Sequence, residues 1–120
     1  IGFMSKRKQG ELESAIMGCL WDRPAGLSSQ QILALLGDDE LAITTVLTVL
    51  SRLSDKGLVT KEQDSGRKLL FVATRTREAH TASLLLDAVQ QSNNPALVFS
   101  HFASSLSADQ LQKLKASLDQ

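Results

Sequence analysis

With 120 residues, 42% of them hydrophobic and 22% charged, the chain is long enough for one small domain with an appendage and too apolar for a disordered polymer. Thirteen basic residues balance thirteen acidic ones, which excludes a uniformly cationic surface and leaves any attraction for polyanions to local clusters. The lone Cys19 excludes an internal disulfide, and no apolar run approaches the ~18 residues of a membrane span. With no charged-then-apolar leader in view, a cytoplasmic protein without membrane insertion is expected.

The opening Ile1-Gly2-Phe3 (1–3) reads as a short cloning remnant ahead of a native start at Met4. Gly10 to Asp22 carries Leu12, Ile16, Cys19 and Leu20 at helical spacing, with Glu11 and Glu13 in its first turn, where the dipole favours anions. Cys19 reads as a small buried hydrophobe and Trp21 as a core anchor closing the helix. Pro24 and Gly26 break the chain. Ser28 with Gln31 three residues on has the form of a capping box; Ile32, Leu35 and Leu36 supply an apolar face, and Gly37 stops this second helix. The acidic connection Asp38-Asp39-Glu40 leads into a third.

That third helix, Ala42 to Lys56, has two unlike faces. Val46, Val49, Leu50 and Leu53 fall within roughly 60° of one direction, as a core-facing stripe should. Thr44, Thr48, Ser51 and Asp55 lie opposite, with Thr45 and Arg52 on one flank. Thr and Ser are poorer helix formers than the Glu, Lys or Ala usual at solvent positions. Short hydroxyls and an arginine suit a surface that approaches a hydrogen-bonding partner closely, such as the floor of a DNA major groove; an ordinary amphipathic helix with tolerated threonines is the plainer alternative. After Gly57 the period changes to two. Leu58–Gln63 and Lys68–Ala73 read as strands around the turn Asp64-Ser65-Gly66-Arg67, a hairpin with a basic tip. Three helices and such a hairpin have the sequence form of a winged helix-turn-helix. Residues 52–78 hold seven basic side chains against four acidic, and Lys6, Arg7 and Lys8 form a second basic cluster. Lys61, Arg67 and Lys68 are therefore candidate phosphate contacts, although a hairpin with a merely solvated tip has the same composition.

From Thr76 onward the pattern is helical again. Thr76–Ser92 carries Leu85, Leu86 and Val89; Asn94-Pro95 caps a helix containing Leu97, Val98, Phe99 and Phe102; and Ser107 with Gln110 opens a last helix striped by Leu111, Leu114 and Leu118. Only five charges occur from Thr81 to Gln120. So apolar an arm has little domain of its own to bury against, so these ten residues are expected to meet a second copy. The fold expected is mainly α (α+β): a winged helix-turn-helix over 4–75 with a two-stranded wing, then a three-helix dimerisation region over 76–120.

The run ITTVLTVLSRLSDKGLV, preceded by GELESAIMGCLWD and followed by a hairpin containing SGR, resembles the penicillinase and methicillin-resistance repressors, the BlaI/MecI family. The resemblance spans Gly10 to the C-terminal helices. It implies a homodimeric transcriptional repressor whose winged helices read an inverted-repeat operator in double-stranded DNA. It also implies, for some members, release when a membrane sensor protease system leads to cleavage in the C-terminal region. The corresponding bond here is His101–Phe102, with His where family examples carry Asn. Copper-responsive relatives hold a metal through C-terminal cysteines; this chain has only Cys19, so no metal or cofactor is expected.

Under this reading Thr44, Thr45 and Thr48 sit near base edges or phosphates, and Arg52 meets a phosphate or a guanine. A winged helix that binds only proteins is the competing class, favoured by zero net charge and by the outward Asp55. An enzyme is not expected: His80, His101 and Cys19 form no nucleophile or metal constellation, and no glycine-rich phosphate loop occurs.

Overall fold

The computed structural model describes residues 9–120; Met4 and the basic run Lys6, Arg7 and Lys8 lie outside the described residues. Six helices and two strands follow in order: α1 (Gln9–Asp22), α2 (Ser29–Leu36), α3 (Ile43–Asp55), β1 (Val59–Gln63), β2 (Leu69–Ala73), α4 (Arg77–Gln90), α5 (Pro95–Ser105) and α6 (Ala108–Leu118). This is an α+β winged helix-turn-helix followed by helices. The chain divides into two compact units, one ending at His80 and one running from Thr81 to Gln120.

In the first unit the apolar stripes of α1, α2 and α3 converge. Leu12, Ile16, Met17 and Leu20 meet Ile32 and the α3 residues Val46, Val49, Leu50 and Leu53, and Val59 and Phe71 of the hairpin close the core. Local chemistry sets the helix ends. Ser28 Oγ accepts from Gln31 N while Gln31 Oε1 accepts from Ser28 N, a complete capping box, and Gly37 ends α2 at φ 65°. Asp38 Oδ1 accepts from Glu40 N, which folds the acidic connection into a tight turn and accounts for an aspartate there. α3 stops in a Schellman motif: Leu58 N donates to Leu53 O and Gly57 N to Ser54 O, with Gly57 at φ 78°.

β1 and β2 pair antiparallel from Val59–Ala73 to Gln63–Leu69. A third segment joins them. Leu27 N donates to Phe71 O at 3.0 Å and Phe71 N to Leu27 O at 2.7 Å, an isolated bridge that ties the start of the α2 turn to the hairpin. Beside it, Gly26 at φ 102° lies so close that a Cβ would meet Val72 Cγ2 at 2.9 Å.

Three expectations change. Leu35 is not on the inner face of α2; it is half exposed, and Leu33 and Leu36 pack beside Ile32 instead. Trp21 is a half-buried anchor at the core's edge, and Cys19 is likewise only partly buried. At the wing tip Arg67 takes the left-handed conformation, at φ 64°.

The second unit has regular caps but no interior. Asn94 Oδ1 caps α5 through Leu97 N ahead of Pro95, and Ser107 and Gln110 complete a capping box on α6. Neither α5 nor α6, nor α4 leading into them, contains a buried residue.

Candidate nucleic-acid interface

α3 buries one side and displays the other. Thr44, Thr45, Leu47, Thr48, Ser51, Arg52 and Asp55 are all exposed. The hydroxyls differ in what they offer: Thr48 Oγ1 donates to Thr44 O at 2.9 Å, so its proton is committed within the helix and the side chain turns outward a methyl and an accepting oxygen. The Arg52 side chain makes no hydrogen bond or salt bridge within 4 Å among the described residues, and its carbonyl accepts only from Lys56 N. The Lys56 side chain, one turn on, does make one: its Nζ lies 2.9 Å from Glu13 Oε1, tying the end of α3 to α1. That hydrogen bond, partly opposed by desolvation and helped by Gln9 and by the nearby charges of Lys56 and Arg52, holds the Glu13 carboxyl below its ordinary value of 4.5. Glu13 thus serves α3 rather than the dipole of its own helix.

At the N-terminus of α3, Ala42 has the extended φ −84°, ψ 147° of an N-cap but no side-chain hydrogen bond to give. Thr45 N donates back to Ala42 O at 3.1 Å, which leaves the N–H groups of Ile43 and Thr44 without a side-chain cap at the positive end of the helix dipole.

The wing tip is built by Asp64. Its Oδ1 accepts from Gly66 N at 2.9 Å and Lys68 N at 2.8 Å, while its carbonyl accepts from Arg67 N at 2.9 Å. These three bonds hold Arg67 in the left-handed region, which costs a residue with a Cβ about 1 kcal/mol. Arg67 and Lys68 are exposed. Lys61, also exposed, shares its face of the hairpin with Val59 and, across the ladder, Phe71.

Where the hairpin leaves toward α4, Trp21 Nε1 donates to Arg75 O at 3.1 Å. The Arg77 guanidinium lies 5.3 Å from the indole centroid and 3.3 Å from Asp22 Oδ1, and the His80 ring is 5.3 Å from the indole. The first turn of α4 therefore belongs to the first unit. Among the described residues no group of three or more His, Cys, Asp or Glu could hold a metal ion, and no helix is long and apolar enough to cross a membrane.

Residues 9–120 match the family model described as penicillinase repressor. The chain belongs to that family. It is 36% identical over 115 residues, 91% of this chain and 81% of the relative, to the protein named Transcriptional regulator BlaI of Mycobacterium tuberculosis, with equal figures in two strains. Among solved structures, MepR, a transcription regulator of the Staphylococcus aureus multidrug efflux pump MepA, superposes with a TM-score of 0.51 at 22% identity over 90% of this chain and 73% of that one. That likeness is one of fold, a winged helix. Family membership makes the chain a transcriptional regulator of the repressor type and not an enzyme.

Of the residues singled out in the sequence, Thr44, Thr45, Thr48 and Arg52 share α3 and Lys61, Arg67 and Lys68 share the hairpin, all within the first unit. Leu85, Leu86, Leu97, Phe99, Phe102, Leu114 and Leu118 are exposed, from 38% at Leu114 to 75% at Leu118, and Val89, Val98 and Leu111 are half-buried. His101 and Phe102 lie exposed within α5. Leu47, whose helical phase places it outside the buried stripe, was not among the residues singled out, and Asp64, named only as part of the turn, closes that turn on backbone N–H groups.

Proposed function

We propose that the chain represses transcription as a homodimer, each protomer laying α3 in the major groove of one half of an inverted-repeat operator and blocking the promoter there. The observation that carries this reading is the outward face of α3. Three threonines and an exposed arginine stand on it, beside a wing whose strained tip displays Arg67 and Lys68. Thr44, Thr45 and Arg52 supply hydrogen bonds to base edges or phosphates, and Lys61, Arg67 and Lys68 supply salt-sensitive backbone contacts.

Dimerisation is supported by the second unit, whose half-exposed leucines and phenylalanines have no interior to enter. A second copy would bury them and set two α3 helices about one helical turn apart or a multiple of it. For release, the His101–Phe102 bond is the place in this chain that corresponds to cleavage by a sensor protease system in relatives. It lies inside α5, so a protease that reads extended chain must first unwind that helix. Mass spectrometry of the protein from induced cells would find a fragment ending at His101; a chain intact throughout induction would assign release to another signal.

The test of DNA reading is titration of promoter duplex at 50 and 200 mM salt. Affinity should fall by orders of magnitude as several phosphate contacts are screened, by roughly 10³ for six contacts. Absence of binding at low salt, or binding indifferent to salt, would favour a protein-binding winged helix instead.

A further inference from the structure

Beyond the hydroxyls and the arginine, the outward face of α3 carries one large apolar side chain, Leu47, 42% exposed. The core does not need it: the buried stripe of Val46, Val49, Leu50 and Leu53 is continuous without it. At 100° per residue Leu47 and Thr48 bound an arc of about 100° centred roughly opposite that stripe, with Thr44, Ser51 and, toward the C-terminal end of the helix, Asp55 between them. Because the Thr48 hydroxyl donates to Thr44 O at 2.9 Å, the Thr48 edge of this arc also offers a methyl group. The surface that would face base edges is therefore bounded by apolar groups on both sides.

We propose that Leu47, with the Thr48 methyl as its companion, reads the C5-methyl of thymine in the major groove and fixes a thymine at a set place in each half-site. This rests on the DNA-reading function proposed above and adds a specificity to it. The thymine methyl is the one apolar landmark on a major-groove base edge. An exposed leucine gains by covering it, whereas cytosine in its place offers an amine that the leucine would strip of water without replacing its hydrogen bond.

The experiment uses the full chain to select duplexes from a randomised pool, then replaces each selected thymine singly by deoxyuridine, which lacks only the methyl. For the wild type, one position per half-site should weaken binding about fourfold, the worth of one methyl-sized group removed from water. Leu47→Ala should bind the thymine and deoxyuridine duplexes alike, and reselection with it should lose the thymine preference at that position. Leu47 is exposed and Ala is a good helix former, so the variant should keep its helical circular dichroism and melting temperature. Two results would overturn the assignment: equal losses for wild type and Leu47→Ala at every deoxyuridine, or a wild type indifferent to all of them. A pool from which no duplex is enriched even at low salt would instead overturn DNA reading, and this inference with it.

Discussion

Arg52 is long, cationic and exposed on α3, and no carboxylate is bonded to it, so its removal leaves no buried group unsatisfied. Arg52→Ala should weaken operator binding by about 1–3 kcal/mol, roughly tenfold to a hundredfold, while the melting temperature stays within a few degrees. Fluorescence anisotropy and thermal melting of one preparation check both halves; unchanged affinity would remove Arg52 from the interface. Asp64 is the opposite case, an acidic group at the centre of a basic tip. Its charge repels phosphate, but its oxygens organise three backbone N–H groups. Asp64→Asn keeps the accepting oxygen and should bind DNA at least as well as the wild type, whereas Asp64→Ala frees Arg67 from its left-handed conformation and should bind several-fold more weakly. Equal losses in the two variants would show that the charge, not the turn, matters. The Glu13–Lys56 pair gives a pH signature. Because the folded pKa of Glu13 is lowered, its stabilisation is present above the ordinary 4.5 and is lost as pH falls through the lower folded value. Glu13→Gln should therefore cost about 0.5–1 kcal/mol at pH 7, discounted because the Lys56 end is 55% exposed, and nothing in stronger acid. Urea unfolding of both proteins at pH 7 and pH 3 measures the difference.

At the level of elements, much of the fold is local and was legible. Both Ser-x-x-Gln boxes, the Gly37 and Gly57 stops and the Asn94-Pro95 start act through neighbours within a few residues. The four core positions of α3 follow from phase alone. What escaped depends on distant partners. Leu27 pairs with Phe71 across 44 positions without a strand pattern of its own, and the indole of Trp21 is satisfied by a carbonyl 54 residues away. Leu35 and Leu33 compete for the inner face of a helix of only eight residues, too short for periodicity to decide between them. The left-handed conformation of Arg67 depends on the Asp64 hydrogen bonds, which composition alone does not place. The uncapped start of α3 makes an element-level prediction. Ala42 already has N-cap dihedrals, so Ala42→Ser should stabilise the protein by about 0.5–2 kcal/mol. If those N–H groups serve a phosphate, the new hydroxyl competes for them, and affinity should fall as the melting temperature rises. A variant improved in both would show that the bare cap has no part in binding.

For the whole molecule, the division after His80 suggests where reading and pairing can be separated. A cut after Thr76 would leave the Trp21 indole its carbonyl but remove Arg77 and His80, which cover the ring. A cut after His80 keeps all three, so a chain ending there should fold and melt cooperatively. It would lack every apolar side chain from Leu84 to Leu118 and should sediment as a monomer. Each head would then bind its half-site unaided. Pairing two heads turns the second binding event into an intramolecular one, with gains of 10² to 10⁴, and the shortened chain should lose about that much affinity for the full operator. The logarithmic salt slope separates this from damage to the head itself. One intact head makes half the phosphate contacts of two and should show half the slope, whereas an unfolded head shows no specific binding. A shortened chain that still sediments as a dimer, or that holds the full operator undiminished, would place dimerisation in the winged helix and leave the apolar helices for another partner.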